Sequence, residues 1–371
     1  MAKILILSGS VGQGHVRAAE ALAAATKRWF GGHEARHVDM LTLVPGLFRK
    51  TYKDMYLKMV NRHPELWGYL YHRFDHDRAA TAFEKMRRKL ESACSYGLRK
   101  ELKDFAPDHI ICTHFMPQQV LARWRRKGRI NCGLWACVTD FVAHRFWLEP
   151  GLDGYFTASE ENAMRMRNRG LADENIYTSG IPVMPEFSDH ENREQAAAEL
   201  GLDPARQYLL LMGGGAGIGD MDGLAKKLLA LAADFQLIVL CGNNRELLGS
   251  LEEMAKTCQE RLLPMGFTRK IPQLLCLAHL VITKPGGLTT MECLAMGKPM
   301  LIYSPIPGQE EFNADFLLEN RAALKAPDAS GLIWRIDKLL RERSLLADLA
   351  AHAAALGRPL AARDIIRTVL A

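Results

Sequence analysis

The sequence predicts an α/β protein built from two consecutive parallel sheets, each covered by helices on both faces. Short apolar runs alternate with helix-forming segments along most of the chain. A polar segment with two prolines, GIPVMPEFSDH at 180–190, interrupts this alternation near the middle. Alternation of strands and helices is typical of doubly wound parallel sheets. At 371 residues the chain is long enough for two such domains.

The first half supplies four predicted strands. They are KILILS (3–8), HIICTH (109–114), GLWACVTD (133–140) and GYFTASE (154–160). An Ala-rich helix follows the first strand, another lies over 118–127, and a third closes near Gly170. Because ligands in open parallel sheets bind at the carboxyl ends of strands, the loops after these runs are the places to look for a site.

The alternation restarts after the 180–190 linker. The predicted strands are QYLLLMGGGAG (207–217), FQLIVLCG (235–242), LLPMGF (262–267), and the runs at 280–283 and 299–303, with helices over 222–233, 245–259 and from 288. The Ala/Leu-rich tail is expected to form a helix that returns to the first domain. We therefore expect an N-terminal domain at 1–182, a second domain at 190–345, and a crossing helix at 346–371, with a cleft between the domains.

Composition narrows the function classes. Hydrophobic residues make up 48% and charged residues 24% of the chain, as in ordinary globular proteins. The eight cysteines form no CxxC pair, which argues against a zinc ribbon or a disulfide framework and favours a reducing compartment. MAKILILSGS is too short for a signal-peptide core and is better interpreted as a strand, and no run of 18 apolar residues exists.

Positive charge is concentrated in the first half. Residues 1–180 hold 28 Lys or Arg and 19 Asp or Glu, which gives this half a net charge of +9. The whole chain has a net charge of +6, so the second half is net negative. The segment 45–106 mixes aromatic residues with Lys and Arg, and ARWRRKGR follows at 122–129. Such a pattern suits an anionic membrane surface, and an amphipathic helix packed on the sheet is the alternative. No nucleic-acid motif is present, so we expect no nucleic-acid partner.

Three loops of the first half carry candidate catalytic residues. GSVGQGHVR places Gly12, Gly14 and His15 between a strand and a helix, where a nearby helix N-terminus disfavours the imidazolium. Its GxxGxG spacing differs from the dinucleotide fingerprint, and no acidic residue follows at the end of a convincing second strand. CTHFMP offers His114, and VTDFVAHRFW offers Asp140, both at strand ends. Trp147 closes the third loop.

The stretch 279–313 is the most informative of the chain. A buried-looking strand leads into Lys284-Pro285-Gly286-Gly287, and a helix opens at 288–290 and carries Glu292. Backbone N–H groups at such a junction suit a phosphate, and a carboxylate one turn further suits a ribose diol. The loop PGQEEFN follows the next strand, with Gln309 and Glu310. GGGAGIGD at 213–220 suits a diphosphate as well, or is a plain tight turn.

These motifs resemble the monogalactosyldiacylglycerol synthases and processive diacylglycerol glycosyltransferases. The matching segments are GQGHVRAAEAL, THFMP, VTDFVAHRFW, GGGAG, GFTRKIPQLL, ITKPGGLTTMECLAMGKPML and PGQEEFN. The resemblance implies the inverting GT-B fold, two Rossmann-like αβα domains, related to the glycosyltransferase that makes lipid II. The chain departs from the family at Glu311 and Phe312, where smaller residues are common, and this leaves the sugar open between glucose, galactose and glucuronic acid.

The resemblance also implies roles for individual residues. On the donor side it implies contacts from Phe267, Thr268, Gly286, Gly287, Leu288, Thr289, Thr290, Glu292, Gln309 and Glu310. From their places in the glycine loops we add Gly214, Gly215 and Lys284 to the expected donor site. On the acceptor side it implies His15, with Asp140 and Trp147 alongside, and from their strand-end loops we also expect Gly12, Gly14 and His114 there. We assign the catalytic base to His15, with Asp140 as the rival. No metal and no bound cofactor are expected, and a UDP-sugar, UDP-glucose or UDP-galactose, is the expected co-substrate.

The expected activity is transfer of a hexose from a UDP-sugar to diacylglycerol at the cytoplasmic face of a membrane, by a peripheral protein. Three alternatives stay open at this point. One is an N-acetylglucosaminyltransferase acting on a polyprenyl-linked precursor, although the HxDRQQ-type loop of that group is replaced here by PGQEEFN. The second is a glycosyltransferase with a non-lipid acceptor. The third is a basic protein that binds nucleotides or nucleic acid without catalysis.

Overall fold

The computed structural model describes the chain in two compact units. It describes all residues except 47–48, 52–64, 67, 70–72, 74–92, 95, 190–191, 214–219 and 259. The first unit consists of Met1–Pro185, Ile306–Phe312 and Arg358–Ala371, and the second of Glu186–Pro305 and Asn313–Gly357. Gly214 and Gly215, and most of the aromatic residues predicted at 45–106, lie outside the described residues.

The first unit is built on a parallel sheet. Its strands are β1 (Lys3–Ser8), β2 (Glu34–Asp39), β3 (His109–Cys112), β4 (Gly133–Cys137), β5 (Gly154–Thr157) and β6 (Ile176–Thr178). Helices α1 (Gln13–Trp29), α2 (Phe115–Arg126) and α3 (Glu160–Asn168) follow β1, β3 and β5. The spatial order is β2-β1-β3-β4-β5-β6. The chain therefore winds outward in opposite directions from β1 and β3, and their carboxyl ends form a topological switch point.

The second unit repeats this arrangement. Its strands are β7 (Tyr208–Met212), β8 (Gln236–Gly242), β9 (Leu262–Gly266), β10 (Ala278–Thr283), β11 (Met300–Tyr303) and β12 (Ala323–Ala326). Its helices are α4 (Arg193–Leu200), α5 (Met221–Leu229), α6 (Arg245–Ala255), α7 (Ile271–Leu277), α8 (Gly287–Ala295), α9 (Gln309–Glu319, which begins in the first unit), α10 (Ala329–Arg341) and α11 (Arg343–Leu356). The order β12-β11-β10-β7-β8-β9 places the switch point between β7 and β10.

Sequence patterns predicted the central strands and missed three edge strands. β1, β3, β4, β7, β8 and β10 are buried along most of their length, so they appear as apolar runs. β2, β6 and β12 lie at sheet edges, and β2 is largely half-exposed. The sequence indicated no acidic residue at the end of a second strand, and this counted against a dinucleotide fingerprint. That expectation was wrong, because β2 is the second strand and it ends at Asp39. However, Asp39 Oδ1 accepts the backbone N–H groups of Ser10 and Leu41, both at 3.0 Å, so it caps the glycine loop.

The tail forms two helices instead of one. α11 ends at Leu356, and the chain turns through Gly357, Arg358 and Pro359 before α12 (Ala361–Leu370). α11 packs on α8 in the second unit, and α12 packs on α1 in the first. The break follows from Pro359, which cannot continue an α-helix, and from Gly357, which lies against the carbonyl of Leu294.

We predict opposite stability changes for two glycine substitutions in the second unit. A Cβ at Gly357 would lie 2.4 Å from the Leu294 carbonyl oxygen, so Gly357→Ala should lower the free energy of unfolding by about 1–3 kcal/mol. Gly249, within α6, has open space around its Cβ position. Gly249→Ala should therefore raise it by about 0.5–1 kcal/mol through helix propensity. Urea denaturation measures both, and a stabilised Gly357→Ala protein would contradict the packing described here.

Candidate functional site

Residues that were predicted for catalysis and for the acceptor side lie at the switch point of the first unit. His15 lies in the first turn of α1, directly after the loop that follows β1, and His114 follows β3. Their rings meet edge to face, with centroids 4.5 Å apart and an interplanar angle of 81°. The ring of His114 also lies against Gly9, where a Cβ would come within 3.1 Å of it, so glycine at this position permits the close approach. Asp140 follows β4, the next strand of the sheet, and is half-buried.

His15 is tied to the ends of the neighbouring strands by three hydrogen bonds. Its Nδ1 lies 2.9 Å from the carbonyl oxygen of Thr113 and 2.8 Å from the hydroxyl of Thr139. The Thr113 hydroxyl donates to the His15 carbonyl oxygen at 2.8 Å. Burial lowers the pKa of His15 from 6.5 to about 4, although the Thr113 bond raises it somewhat. The side chain is therefore neutral at pH 7 and able to accept a proton.

His114 has a structural role. It is the N-cap of α2, where its Nδ1 accepts the backbone N–H of Met116 at 3.1 Å. This fixes the proton of the neutral ring on Nε2. Burial, and the neighbouring His15, lower its pKa well below 6.5. The helix starts three residues before the predicted 118 because His114 supplies this cap.

The loop after β4 is anchored from α2. Gln118 Nε2 donates to the carbonyl oxygen of Trp147 at 2.7 Å, and Gln119 Nε2 donates to that of Phe146 at 2.9 Å. Trp147 is buried, 2% exposed, and packs edge-on against Phe115. The indole was predicted to lie by the acceptor, but its burial suits a packing role for the ring. The buried glutamines were not singled out by sequence, because a Gln in a helix has no distinctive pattern.

The N-terminus of α1, which follows the glycine loop after β1, has no side-chain cap. Gly12 is the N-cap of α1 and provides no side-chain cap, and Gly14 lies in the first turn. The first turn also lacks an acidic residue. The unpaired N–H groups at this end are available to a polar ligand.

Residues of the second unit that were predicted for the donor side follow β10, at the switch point of that sheet. Gly286 is the N-cap of α8 and has no side-chain cap, and the first turn carries no acidic residue. Gly287, Leu288, Thr289 and Thr290 form this turn, and Lys284 lies three residues before its start. The hydroxyl of Thr290 is buried and has no hydrogen-bond partner within the described part of the chain. An uncapped helix end of this kind is suited to a phosphate group.

A carboxylate on α8 and a buried amide side chain lie near the start of this helix. Glu292, 9% exposed, lies in the second turn of α8. The buried Asn313 donates its Nδ2–H to the carbonyl oxygen of Pro285 at 2.9 Å and so fixes the glycine turn. Asn313 was noticed in the sequence but not predicted as a site residue, because its partner is a backbone atom.

Phe267 and Thr268 follow β9, at the carboxyl edge of the same sheet. The Phe267 ring is 69% exposed. Thr268 Oγ1 accepts the backbone N–H of Lys270 at 3.1 Å and thereby shapes the turn. The aromatic face of Phe267 is accordingly free to stack on a planar ligand.

The acidic residues at the start of α9 bind their own loop. Glu310 Oε2 accepts the N–H of Ile306 at 2.7 Å, and Glu311 Oε2 accepts the N–H of Gly308 at 2.9 Å. Glu311 thus stands at the position of the reciprocal acid in a capping box. Gln309 begins the helix and is half-buried. The sugar contacts predicted for Gln309 and Glu310 remain predictions.

The described residues contain no group of three or more His, Cys, Asp or Glu side chains arranged to hold a metal ion. Within the same residues, no helix combines the length and the apolar character needed to cross a membrane.

Comparison with known proteins gives two family matches. Residues 15–183 match the monogalactosyldiacylglycerol (MGDG) synthase family, and residues 209–365 match the C-terminal domain of glycosyltransferase family 28. A processive diacylglycerol beta-glucosyltransferase of Bacillus licheniformis is 27% identical over 350 residues, covering 93% of this chain and 88% of the relative.

Solved structures share the fold. MurG of Acinetobacter baumannii is 15% identical, with a TM-score of 0.62 over 99% of both chains. S. aureus MnaA, solved with UDP, is 13% identical, with a TM-score of 0.64 over 100% of this chain and 96% of that one. The predicted two-domain fold of two parallel α/β units is confirmed.

We predict that His114 makes the protein sensitive to acid. Its pKa in the folded chain is lower than 6.5, so the unfolded chain binds more protons as the pH falls through that value, and stability falls with it. His114→Asn removes the titrating ring and keeps a good helix cap. Its loss of unfolding free energy between pH 7.5 and 5.5, measured by urea denaturation, should be smaller than that of the wild type.

The exposed His352 on α11 provides the control. His352→Asn should show the same pH dependence of stability as the wild type. An unchanged pH dependence in His114→Asn would contradict the assignment.

Proposed function

We propose that the chain is a glycosyltransferase of the same kind as the monogalactosyldiacylglycerol synthases and processive diacylglycerol glycosyltransferases, and that it transfers a hexose from a UDP-sugar to diacylglycerol or a related lipid. The observation that carries this proposal is the pair of switch-point sites, one with a neutral His15 and one with the uncapped helix α8. The first suits proton abstraction from a hydroxyl, and the second suits a diphosphate.

Donor binding rests on the second unit. The N–H groups of Gly287, Leu288 and Thr289 in the first turn of α8 meet the diphosphate, and the Thr290 hydroxyl, without a partner in the described chain, gains one. Glu292 accepts hydrogen bonds from the ribose diol. Phe267 stacks on the uracil. Lys284 adds positive charge beside the phosphates.

The reaction is a single inverting displacement. His15 takes the proton of the acceptor hydroxyl, whose oxygen forms a bond to the anomeric carbon as the bond from that carbon to the diphosphate breaks. UDP departs with the electron pair, and the helix end at α8 stabilises its charge. The proton on His15 is then released to solvent. Asp140, at the next strand end, is the alternative base.

Membrane contact is a further part of the proposal. The lipid acceptor is embedded in a bilayer, so the enzyme has to approach a membrane surface from the cytoplasmic side. Among the described residues of the basic aromatic segment, Tyr69 is 59% exposed and Leu66 is 49% exposed. Exposed aromatic and apolar side chains among Lys and Arg are suited to an anionic lipid surface.

A product analysis tests the activity. The protein is incubated with diacylglycerol-containing vesicles and one donor at a time, UDP-glucose, UDP-galactose, UDP-glucuronate or UDP-N-acetylglucosamine. The masses of the lipid products are then measured by mass spectrometry. A hexosyl-diacylglycerol formed with UDP-glucose or UDP-galactose is the expected result. The same donors are offered in parallel with a polyprenyl-linked precursor and with a soluble glycan, and a product formed only with one of these acceptors would overturn the diacylglycerol assignment.

We predict that His15→Gln lowers kcat by about 10²–10⁴-fold, because general-base catalysis typically contributes that much. The KM for the UDP-sugar should change little, since the donor is bound by the second unit. Asp140→Asn serves as the comparison. Near-wild-type turnover in His15→Gln, together with loss of turnover in Asp140→Asn, would transfer the role of base to Asp140.

We predict that Phe267→Ala raises the KM for the UDP-sugar by about 5- to 150-fold, which corresponds to the 1–3 kcal/mol typical of base stacking on an aromatic ring. The matched control is Trp334→Ala, which removes another exposed aromatic of the same unit, on α10. Steady-state kinetics at saturating lipid measure both. Equal KM values for the two variants would exclude Phe267 from the donor site.

A further inference from the structure

The two threonines that contact His15 lie at neighbouring strand ends. Thr113 directly follows β3, and Thr139 lies two residues beyond β4. Both are buried, with exposures of 0% and 4%. Their contacts, the Thr113 carbonyl at 2.9 Å and the Thr139 hydroxyl at 2.8 Å, meet at the same ring atom, Nδ1 of His15. No sequence pattern singles out either threonine.

The chemistry of these two oxygens decides which ring nitrogen carries the proton. A carbonyl oxygen only accepts hydrogen bonds, so the short contact to Thr113 requires a proton on Nδ1. If the proton were on Nε2 instead, the lone pair of Nδ1 would face the lone pairs of the carbonyl, and that buried acceptor would lose its bond. The Thr139 hydroxyl can accept as readily as it donates, and it fits the first arrangement as a second acceptor.

We propose that Thr139 is a positioning residue which, together with the Thr113 carbonyl, holds His15 with its proton on Nδ1 and thereby keeps Nε2 free to accept the proton of the acceptor hydroxyl. The catalytic consequence rests on the proposed function, whereas the position of the proton does not. The arrangement corresponds to the part that a buried carboxylate has in a Ser-His-Asp triad, here performed by two neutral oxygens.

Neutral partners have a specific consequence. A carboxylate beside Nδ1 would stabilise the imidazolium and raise its pKa, but a carbonyl and a hydroxyl do so less. His15 therefore keeps its low pKa of about 4 and stays unprotonated at neutral pH. After Nε2 has taken the proton, Nδ1–H still donates to both oxygens, so the ring does not have to turn during the reaction.

The second hydroxyl of the pair fixes the backbone. Thr113 Oγ1 donates to the His15 carbonyl oxygen at 2.8 Å, which joins the first turn of α1 to the end of β3. The main chain and the ring of His15 thus both connect α1 to the end of β3. Freedom of the His15 ring to rotate is therefore limited on the Nδ1 side, and Thr139 is the only side-chain contact of Nδ1 that the described residues provide.

The test reads the proton directly. The protein is labelled with ¹⁵N-histidine, the His15 signals are assigned by their absence in His15→Gln, and the ring ¹⁵N shifts at pH 7 distinguish protonated from unprotonated nitrogens. The expected result is a protonated Nδ1 in the wild type and in Thr139→Ser. In the Thr139→Val protein, a measurable fraction of the His15 rings should carry the proton on Nε2.

Kinetics provide the second readout. Thr139→Val should lower kcat by about fivefold to thirtyfold, as expected for the loss of one buried hydrogen bond, with an unchanged KM for the UDP-sugar. Thr139→Ser should restore kcat. The matched control is Thr26→Val, which removes a buried hydroxyl on α1, the helix that carries His15. The Thr26 hydroxyl donates to the Leu22 carbonyl oxygen at 2.9 Å, and its loss should leave kcat and the His15 shifts unchanged.

Several outcomes would overturn the proposal. A proton on Nε2 in the wild type excludes it without recourse to any variant, so the test holds even if Thr139→Val fails to fold. Unchanged shifts and unchanged kcat in a folded Thr139→Val protein exclude it as well. If His15→Gln stays fully active while the wild-type shifts are as expected, the assignment of His15 as base fails and the position of its proton stands.

Discussion

The hydrogen bond between His15 Nδ1 and the Thr113 carbonyl is the contact on which the site at the switch point of the first unit depends. It joins the first turn of α1 to the end of β3, and these two elements leave the sheet at the point where its strand order reverses. The sheet itself separates the loops at such a point, because consecutive connections run to opposite faces. A direct bond across it turns two independent loops into one rigid site with a defined proton position.

The burial that makes this site rigid also determines its acid–base character. Desolvation is the largest influence on both His15 and His114, and it lowers both pKa values. Because its pKa is lowered, His15 is a weaker base than a histidine that is paired with a carboxylate. The gain is that both rings are neutral at physiological pH, with opposite proton positions, so His114 serves the helix as an acceptor while His15 offers Nε2 to a substrate.

Sequence alone predicted what depends on strongly buried strands and on residue types with distinctive chemistry. His15, His114 and Asp140 were found because each follows an apolar run, and the helix at α8 was found through its glycine turn. The edge strands β2, β6 and β12 were missed because a strand with one open edge is short or only half-buried. Thr113 and Thr139 were missed because threonine at the end of a strand is ordinary, and their contact with His15 exists only once β1, β3 and β4 lie side by side.

The acidic pair at the start of α9 shows how structure changes an argument from charge. In the sequence, Glu310 and Glu311 appear as two free carboxylates that would repel an acidic sugar. In the structure each already accepts a backbone N–H of its own loop, from Ile306 and Gly308. Such bonds disperse the negative charge and fix the path of the loop. Substitution of either residue would therefore first disturb the path of the loop. Under the proposed function, it would weaken binding of every donor sugar before it altered the choice among them.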